Sequence, residues 1–473
     1  MRYCRLLLLI CLAAAPSASA QPPAGSPRRT RQVEIIERVG ASVVAVFSEG
    51  KDNNWGSGSG TIIHPSGYIL TNDHVVQDRR GVVLVRDQPP LPFRTIGRMW
   101  DKDLAIIKVD APQPLVALPL GRSHDILAGE PILVGGNPGG RGIVFSSGII
   151  SSVEVMPGMS ALTMSGFPDD MRDRFIQFDA TSNPGNSGGP IINAEGRQVA
   201  VVVAKILQEQ NINYAIPVDR ARRGLRDMLL PEQRGNFWTG LELGLATATI
   251  ERIAPGGPAD QAGLKPGDVV VGLGEVAVTS DVEFFVALVG RKAGESLSVK
   301  YLRDEQPQAA TLTLAEYPLR TGLAVEGRQP GLKYRLYRGD FRRCPDLSKQ
   351  TPVDQGTIPK VRLDQVPRIP DDHYALGLEG YLEIPETGVW TVAVASDDGS
   401  RVFLDGELLI DNDGLHPTQW TAARDRWQKG LHALRVEFFE GIGDAELQLA
   451  LSRDGSAELI EPTLFADADA AKP

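Results

Sequence analysis

The sequence predicts a mainly β chain, and three observations carry that expectation. From Ser42 onward, short apolar runs alternate with Gly and Pro turns: residues 43–47, 61–63, 82–85 and 199–204. No long helical pattern interrupts them before residues 218–230, and many short strands with regular turns build barrels or sandwiches. Period-two alternation returns near the end, at Trp390, Val392 and Val394, at Leu434, Val436 and Phe438, and at Leu447, Leu449 and Leu451, which reads as a sandwich. At 473 residues the chain is too long for one core, so three domains are expected.

The first 20 residues differ from the rest. Arg2 and Arg5 precede an apolar run over residues 6–15, and Ala18-Ser19-Ala20 follows. A positive start, a short apolar stretch and a small-residue site make a secretory signal peptide, cut before Gln21. The run is too short to span a bilayer. Loss of Arg2 and Arg5 takes the formal charge from −10 to −12. Cys4 and Cys11 leave as well, so Cys344 alone remains and no internal disulfide is expected. Cys11 has no small residue before it and does not read as a lipid-attachment site. Export without disulfides suits the periplasm, or else a cell surface or secretion. A hydrophobic share of 42% and a charged share of 23% describe a soluble protein. No basic patch dominates, which excludes nucleic acid as a partner. Residues 21–31 form a flexible lead-in, and residues 33–39 a short amphipathic helix.

Chemistry concentrates in Asp179-Ala180-Thr181-Ser182-Asn183-Pro184-Gly185-Asn186-Ser187-Gly188-Gly189-Pro190. A serine hydroxyl is a weak nucleophile unless a base takes its proton and donors await the oxyanion. Glycines allow a tight path that turns successive N–H groups into one cavity. The backbone N–H groups of Gly185 and Ser187, with Asn186 between them, are placed as the oxyanion hole. Upstream, His74 follows an apolar strand in residues 68–76, and Asp103 opens another in residues 101–109. Each alone reads as a structural or turn residue. The order His, Asp, Ser at wide spacings is that of chymotrypsin-type double barrels. Asp101 competes with Asp103 for the carboxylate role. The glycine run over residues 135–142 lacks the Gly-Lys-Ser/Thr ending of a phosphate loop and reads as a hairpin.

Residues 56–72 leading into His74, Gly136-Asn137-Pro138-Gly139-Gly140 followed by Ser147-Gly148-Ile149-Ile150-Ser151, the run around Ser187, and Tyr214-Ala215-Ile216-Pro217 together resemble the protease domain of the HtrA/Deg family. The resemblance covers residues 42–220, within a domain placed at 32–230. It implies that Ser187 attacks the scissile carbonyl, that His74 takes and returns its proton, and that Asp103, directly before Leu104-Ala105, fixes the imidazole. Asp73 is expected to face solvent. Thr181 stands six residues before the nucleophile, where trypsin-type enzymes place an acid, so no preference for Lys or Arg is expected, and small aliphatic residues are preferred. The 206–213 loop is poorer in Gly and Ser than in the family. The loop between Phe47 and Gly56 is short. No metal or organic cofactor is required for cleavage.

Phe237-Trp238-Thr239-Gly240-Leu241-Glu242-Leu243 and residues 253–270 resemble a PDZ domain, an α+β module placed at 236–316. The resemblance implies a flanking helix at 281–289 and strands at 297–303 and 310–314. An extended peptide would pair with an exposed strand, its terminal carboxylate meeting N–H groups at Thr239, Gly240 and Leu241. Residues 317–328 read as a linker. Gly331-Leu332-Lys333-Tyr334, Tyr381-Leu382-Glu383-Ile384, Ser396-Asp397-Asp398-Gly399 and Ile410-Asp411-Asn412-Asp413-Gly414 then resemble the protective-antigen-type (PA-fourteen) β-sandwich, placed at 329–456 before a tail. In some adhesins of that family paired aspartates hold calcium that in turn holds a sugar. Asp397 and Asp398 match the pair, and Asp-Asp-Gly is equally ordinary turn chemistry.

These readings describe an exported serine endopeptidase that cuts unfolded or damaged proteins. Its PDZ-like module would take chain ends, and its C-terminal module would bind glycan, surface or protein. The competing reading is a catalytically silent adhesin or scaffold. The family resemblance also implies a homotrimer, formed through residues ahead of the barrel.

Overall fold

The computed structural model describes residues 26–49, 55–76, 80–155, 175–205, 212–454, 456 and 458–467. The expected signal peptide, residues 206–211 of the 206–213 loop and the last residues of the tail lie outside them.

The first helix, α1 (Arg31–Val39), is capped by Thr30, whose Oγ1 accepts from Val33 N, and carries Glu34 in its first turn and Arg38 in its last, matching the helix dipole. Ile35 and Val39 are buried with Leu118, Leu133 and Ile192. The helix therefore spends its apolar stripe on its own protease domain.

Strands β1 (Val43–Glu49), β2 (Trp55–His64), β3 (Tyr68–Thr71), β4 (Gly81–Leu84), β5 (Leu91–Met99) and β6 (Leu104–Val109) close a barrel in the order β1-β2-β3-β6-β5-β4. Alternate residues Val44, Val46, Ile62, Ile69, Ile107 and Val109 fill it, as period two requires. Strands β7 (Pro131–Gly136), β8 (Val144–Val155), β9 (Phe175–Phe178), β10 (Pro190–Asn193), β11 (Gln198–Lys205) and β12 (Asn213–Pro217) close a second barrel around Val134, Ile150, Phe178 and Ile191. The expected double barrel is thus present. Helix α2 (Val218–Leu229) seals its side, with Ala221, Leu225 and Met228 packed on Leu70, Leu104 and Ile106.

A short helix, α3 (Pro231–Gly235), leads into the α+β module. Strands β13 (Leu241–Leu243) and β14 (Ile250–Ile253) form one ribbon. Strands β15 (Val269–Leu273), β16 (Val276–Ala277), β17 (Ser296–Arg303) and β18 (Gln306–Thr313) form a sheet in the order β16-β15-β17-β18. Helix α4 (Asp281–Leu288) is capped by Ser280, whose Oγ accepts from Val282 N. Phe284 and Leu288 enter this module's core, while Val282 packs into the protease core against α2. A buried ion pair between Arg222 of α2 and Asp281 reinforces that seam.

The final module is a sandwich. One sheet contains β19 (Arg328–Pro330), β20 (Leu332–Arg338), β21 (Asp354–Ile358), β22 (Tyr374–Ile384), β24 (Ser400–Leu404), β25 (Glu407–Asn412), β27 (Gly430–Glu440) and β29 (Leu464–Asp467). The other has the order β26-β23-β28, from β23 (Gly388–Asp397), β26 (Gln419–Trp427) and β28 (Glu446–Arg453). Trp390, Val392, Val394, Val436, Phe438, Leu447 and Leu449 all lie in the core between them, on the faces the alternation predicts. Residues 317–328 do not form a free linker. Tyr317 Oη and Arg320 Nε donate to Asp425 at 2.8 and 2.9 Å, and Leu323 N donates to Leu431 O at 2.7 Å. The sandwich also packs on α3: Arg234 grips Asp454 through two bonds of 2.8 Å, and Arg426 donates to Gln233 O at 2.8 Å.

Candidate active site and binding grooves

His74 sits on a helical turn, Asp73–Val76, just after β3. Asp103 sits between the 3₁₀ turn Trp100–Lys102 and β6, in the left-handed backbone region (φ 50°, ψ 44°). Asp is among the residue types that tolerate this region. The conformation turns the carboxylate back to His74, whose Nδ1 lies 2.8 and 2.9 Å from the two carboxylate oxygens. The backbone N–H of His74 donates to the same carboxylate at 3.0 Å, and Asn72 Nδ2 holds Asp103 O at 2.9 Å. Asp103 is 6% exposed. Desolvation pulls the His74 pKa down, but the Asp103 charge and hydrogen bond, together with the Asp73 charge, outweigh it and leave it above the usual 6.5.

Asp101 does not reach the imidazole position in these contacts. It is buried with Arg424 of the sandwich as its ionic neighbour at 3.8 Å. Asp73 is not solvent-facing either. It is 7% exposed, and Arg98 of β5 holds it through Nε and Nη2 at 2.5 and 2.8 Å. Local sequence could not reveal a partner 25 residues away that makes burial of the charge tolerable.

The nucleophile loop crosses between the barrels. Ser59 of β2 ties it down: its N–H donates to Ser187 O at 2.8 Å, and its Oγ donates to Gly185 O at 2.6 Å. A Cβ on Gly188 would strike Ser59 O at 2.2 Å and Thr71 Oγ1 at 2.3 Å, so only glycine lets this loop press against the segment leading to His74. Gly185 has φ +104°, and a Cβ there would meet Asn137 O at 2.4 Å. The N–H groups of Gly185 and Ser187 make no hydrogen bond among the described residues, whereas Asn186 N–H donates to Asn183 O at 3.0 Å. Asn186 therefore serves the turn, and the two flanking donors remain for an oxyanion. Ser187 Oγ donates to Val203 O at 2.5 Å. Thr181 is exposed, and its carbonyl accepts from Ser146 Oγ at 2.7 Å.

Between β13 and α4 lies a cleft of about 520 Å³ lined by Leu241, Leu243, Phe284, Phe285 and Leu288, with Arg222, Arg223 and Arg226 of α2 along one side. The expected carboxylate-binding loop forms its end, with Gly240 at φ +71°. One feature escaped the sequence reading. Glu232 of α3 places Oε1 2.7 Å from Thr239 N and 2.5 Å from Thr239 Oγ1, and Arg226 lies 3.5 Å from its other oxygen. Of the three expected donors, Thr239 N–H is engaged by this internal carboxylate. Leu241 N–H makes a long 3.5 Å contact to Thr239 Oγ1.

In the sandwich, Asp397 and Asp398 come together with Glu440 at the end of β27, each offering an oxygen within 4.8 Å of the others. Asp398 accepts from His416 N and Gly441 N, and Asp397 accepts from Thr418 N at 2.9 Å. Glu440 Oε2 accepts from Asp398 N, while its buried Oε1 has no partner among the described residues. Burial and the neighbouring aspartates push Glu440 up to about 8, and burial with Asp398 pushes Asp397 up to about 6. Three crowded carboxylates, one with an unpartnered oxygen, fit a hard cation. Sequence reading missed Glu440, because a lone acid ending an apolar strand carries no spacing signal.

Family models match in three blocks: a trypsin-like peptidase domain over residues 58–201, a PDZ domain over 228–314 and a PA14 domain over 328–462. The putative serine protease HhoB of Synechocystis is 33% identical over 56% of this chain and 67% of its own length. The mitochondrial serine protease HTRA2 of Bos taurus is 30% identical over 64% of this chain and 70% of its own. A probable periplasmic serine endoprotease, DegP-like, of Hahella chejuensis is 32% identical over 55% of this chain and 57% of its own. With its double barrel, its His74–Asp103 pair, its PDZ module and these relatives, the chain belongs to the HtrA family of serine endopeptidases and carries a C-terminal PA14 domain.

Proposed function

We propose that the chain cleaves unfolded or damaged exported proteins through an acyl-enzyme on Ser187. The observation that carries this reading is the His74–Asp103 pair at 2.8 Å, beside a loop that offers Ser187 and two N–H groups unengaged among the described residues. Ser187 Oγ turns from Val203 O to His74, which takes its proton as the oxygen attacks the scissile carbonyl. Asp103 holds the imidazole tautomer and stabilises the imidazolium. The N–H groups of Gly185 and Ser187 receive the negative oxygen, and His74 then returns the proton to the leaving amine. Thr181 favours small aliphatic residues over Lys or Arg before the cut.

The cleft between β13 and α4 takes an extended peptide C-terminus by strand addition. Its carboxylate displaces Glu232 from Thr239. The periplasm is the proposed compartment, in line with the name of the Hahella relative, and a homotrimer the proposed assembly. Asp397, Asp398 and Glu440 are proposed to hold calcium, through which the sandwich takes surface glycan. Silent-scaffold chemistry would not need a buried carboxylate on an imidazole. The test is Ser187→Ala with an unfolded protein substrate. Folding is retained and cleavage falls by about 10⁴-fold or more; digestion at the wild-type rate would refute the assignment.

A further inference from the structure

The turn that presents Asp103 has an outer face, and the sandwich covers it. Trp100, Asp101 and Lys102 form that turn, and Asp103 N–H closes it on Trp100 O at 3.4 Å. The Trp100 ring meets Trp420 of β26 edge-on, with centroids 5.5 Å apart and planes at 73°. One residue on, Asp101 is 3% exposed and faces Arg424, whose guanidinium lies 3.8 Å away. Trp420 and Arg424 are four apart on one strand and so share a face. Asp101 Oδ1 has no hydrogen-bond partner among the described residues, which leaves Arg424 as a principal charge balancing it at close range.

A second line leads to the same place. Arg98, which clamps Asp73 beside His74, lines a narrow crevice of about 60 Å³ together with Trp100, Thr391 and Arg424. The carboxylate and the imidazole thus each have a sequence neighbour whose partner stands at this interdomain seam. A buried acid needs its partner, because removing one member of a buried pair leaves an uncompensated charge that the backbone must move to relieve. Here the first backbone to move would be the turn that sets φ and ψ of Asp103.

We propose that Trp420 and Arg424 of the C-terminal sandwich are positioning residues for Asp103, so that the sandwich forms part of the catalytic scaffold as well as a binding module. The proposal rests on Asp103 serving Ser187 through His74. Its test uses the full chain as wild type, Trp420→Ala, Arg424→Gln and the conservative Arg424→Lys. Two readouts are followed from pH 5 to 9: the rate at which a fluorophosphonate labels Ser187, and kcat and KM on an unfolded protein.

The expected result is a labelling rate and a kcat lowered roughly tenfold in Trp420→Ala and Arg424→Gln, with KM within about twofold. The acid limb of kcat/KM should move to lower pH, because a displaced Asp103 raises the His74 pKa less. Arg424→Lys keeps the charge and should recover most of the rate. Wild-type rates and an unmoved acid limb in both disruptive variants would overturn the proposal. So would a loss in KM alone, which would point to substrate binding. A wild-type chain that never labels would fail the protease reading itself, and Ser187→Ala separates that failure from this one.

Discussion

Glu232 carries the sharpest consequence at the scale of single residues. Its carboxylate already makes the bonds that an incoming chain end would seek, to Thr239 N and Oγ1, with Arg226 close by. A charge-assisted hydrogen bond contributes about 1.5–3 kcal/mol, so displacing it weakens every ligand whose carboxylate must take those donors by part of that amount. Glu232→Gln should therefore tighten binding of carboxylate-ended peptides by roughly tenfold and leave amidated peptides little changed. Fluorescence anisotropy with matched peptides checks this; equal gains for both ends would show that Glu232 does not mimic a terminus. His74 and Asp103, which the structure brings together, were legible through their order with Ser187 and the family resemblance of the runs around them, since each alone reads as a structural or turn residue. Glu232, Glu440, Arg98 and Arg424 were not, because their meaning lies in partners that folding brings from elsewhere.

Among the elements, α2 does more than close the barrel. Leu225 is fully buried between the helix and the first barrel, with Leu104, Ile106 and Val201 in the same cluster. Leu225→Ala should destabilise the protease domain by about 2–5 kcal/mol, read as a lowered denaturation midpoint. A loss below about 1 kcal/mol would mean that the site collapses without a cavity. The strands were readable for the reason the helix cores were: burial on one face stamps a period on the sequence. That the 317–328 segment is docked on the sandwich was not legible, for the converse reason. Its attachment includes the side chains of Tyr317 and Arg320 and backbone bonds at Arg320 and Leu323, and none of these leaves a periodic trace.

At the scale of the whole molecule, the acidic cluster in the sandwich makes stability depend on pH. Asp397 and Glu440 have folded pKa values raised to about 6 and about 8, above their ordinary 3.8 and 4.5. Between about pH 4 and pH 8 the folded chain holds protons that the unfolded chain has released, so stability falls as pH rises through that window. Calcium would replace those protons, so its stabilising effect should be larger at pH 8 than at pH 5. Differential scanning calorimetry with calcium and with a chelator checks both signs. A melting temperature of the sandwich indifferent to calcium at pH 8 would remove the metal from Asp397, Asp398 and Glu440.

The backbone N–H of Thr418 holds Asp397, and Trp420, two residues further along, leans on Trp100. The brace on the acids and the brace on the Asp103 turn thus stand two positions apart on the same stretch of backbone. Strain applied at one brace would reach the other along a lever only two residues long.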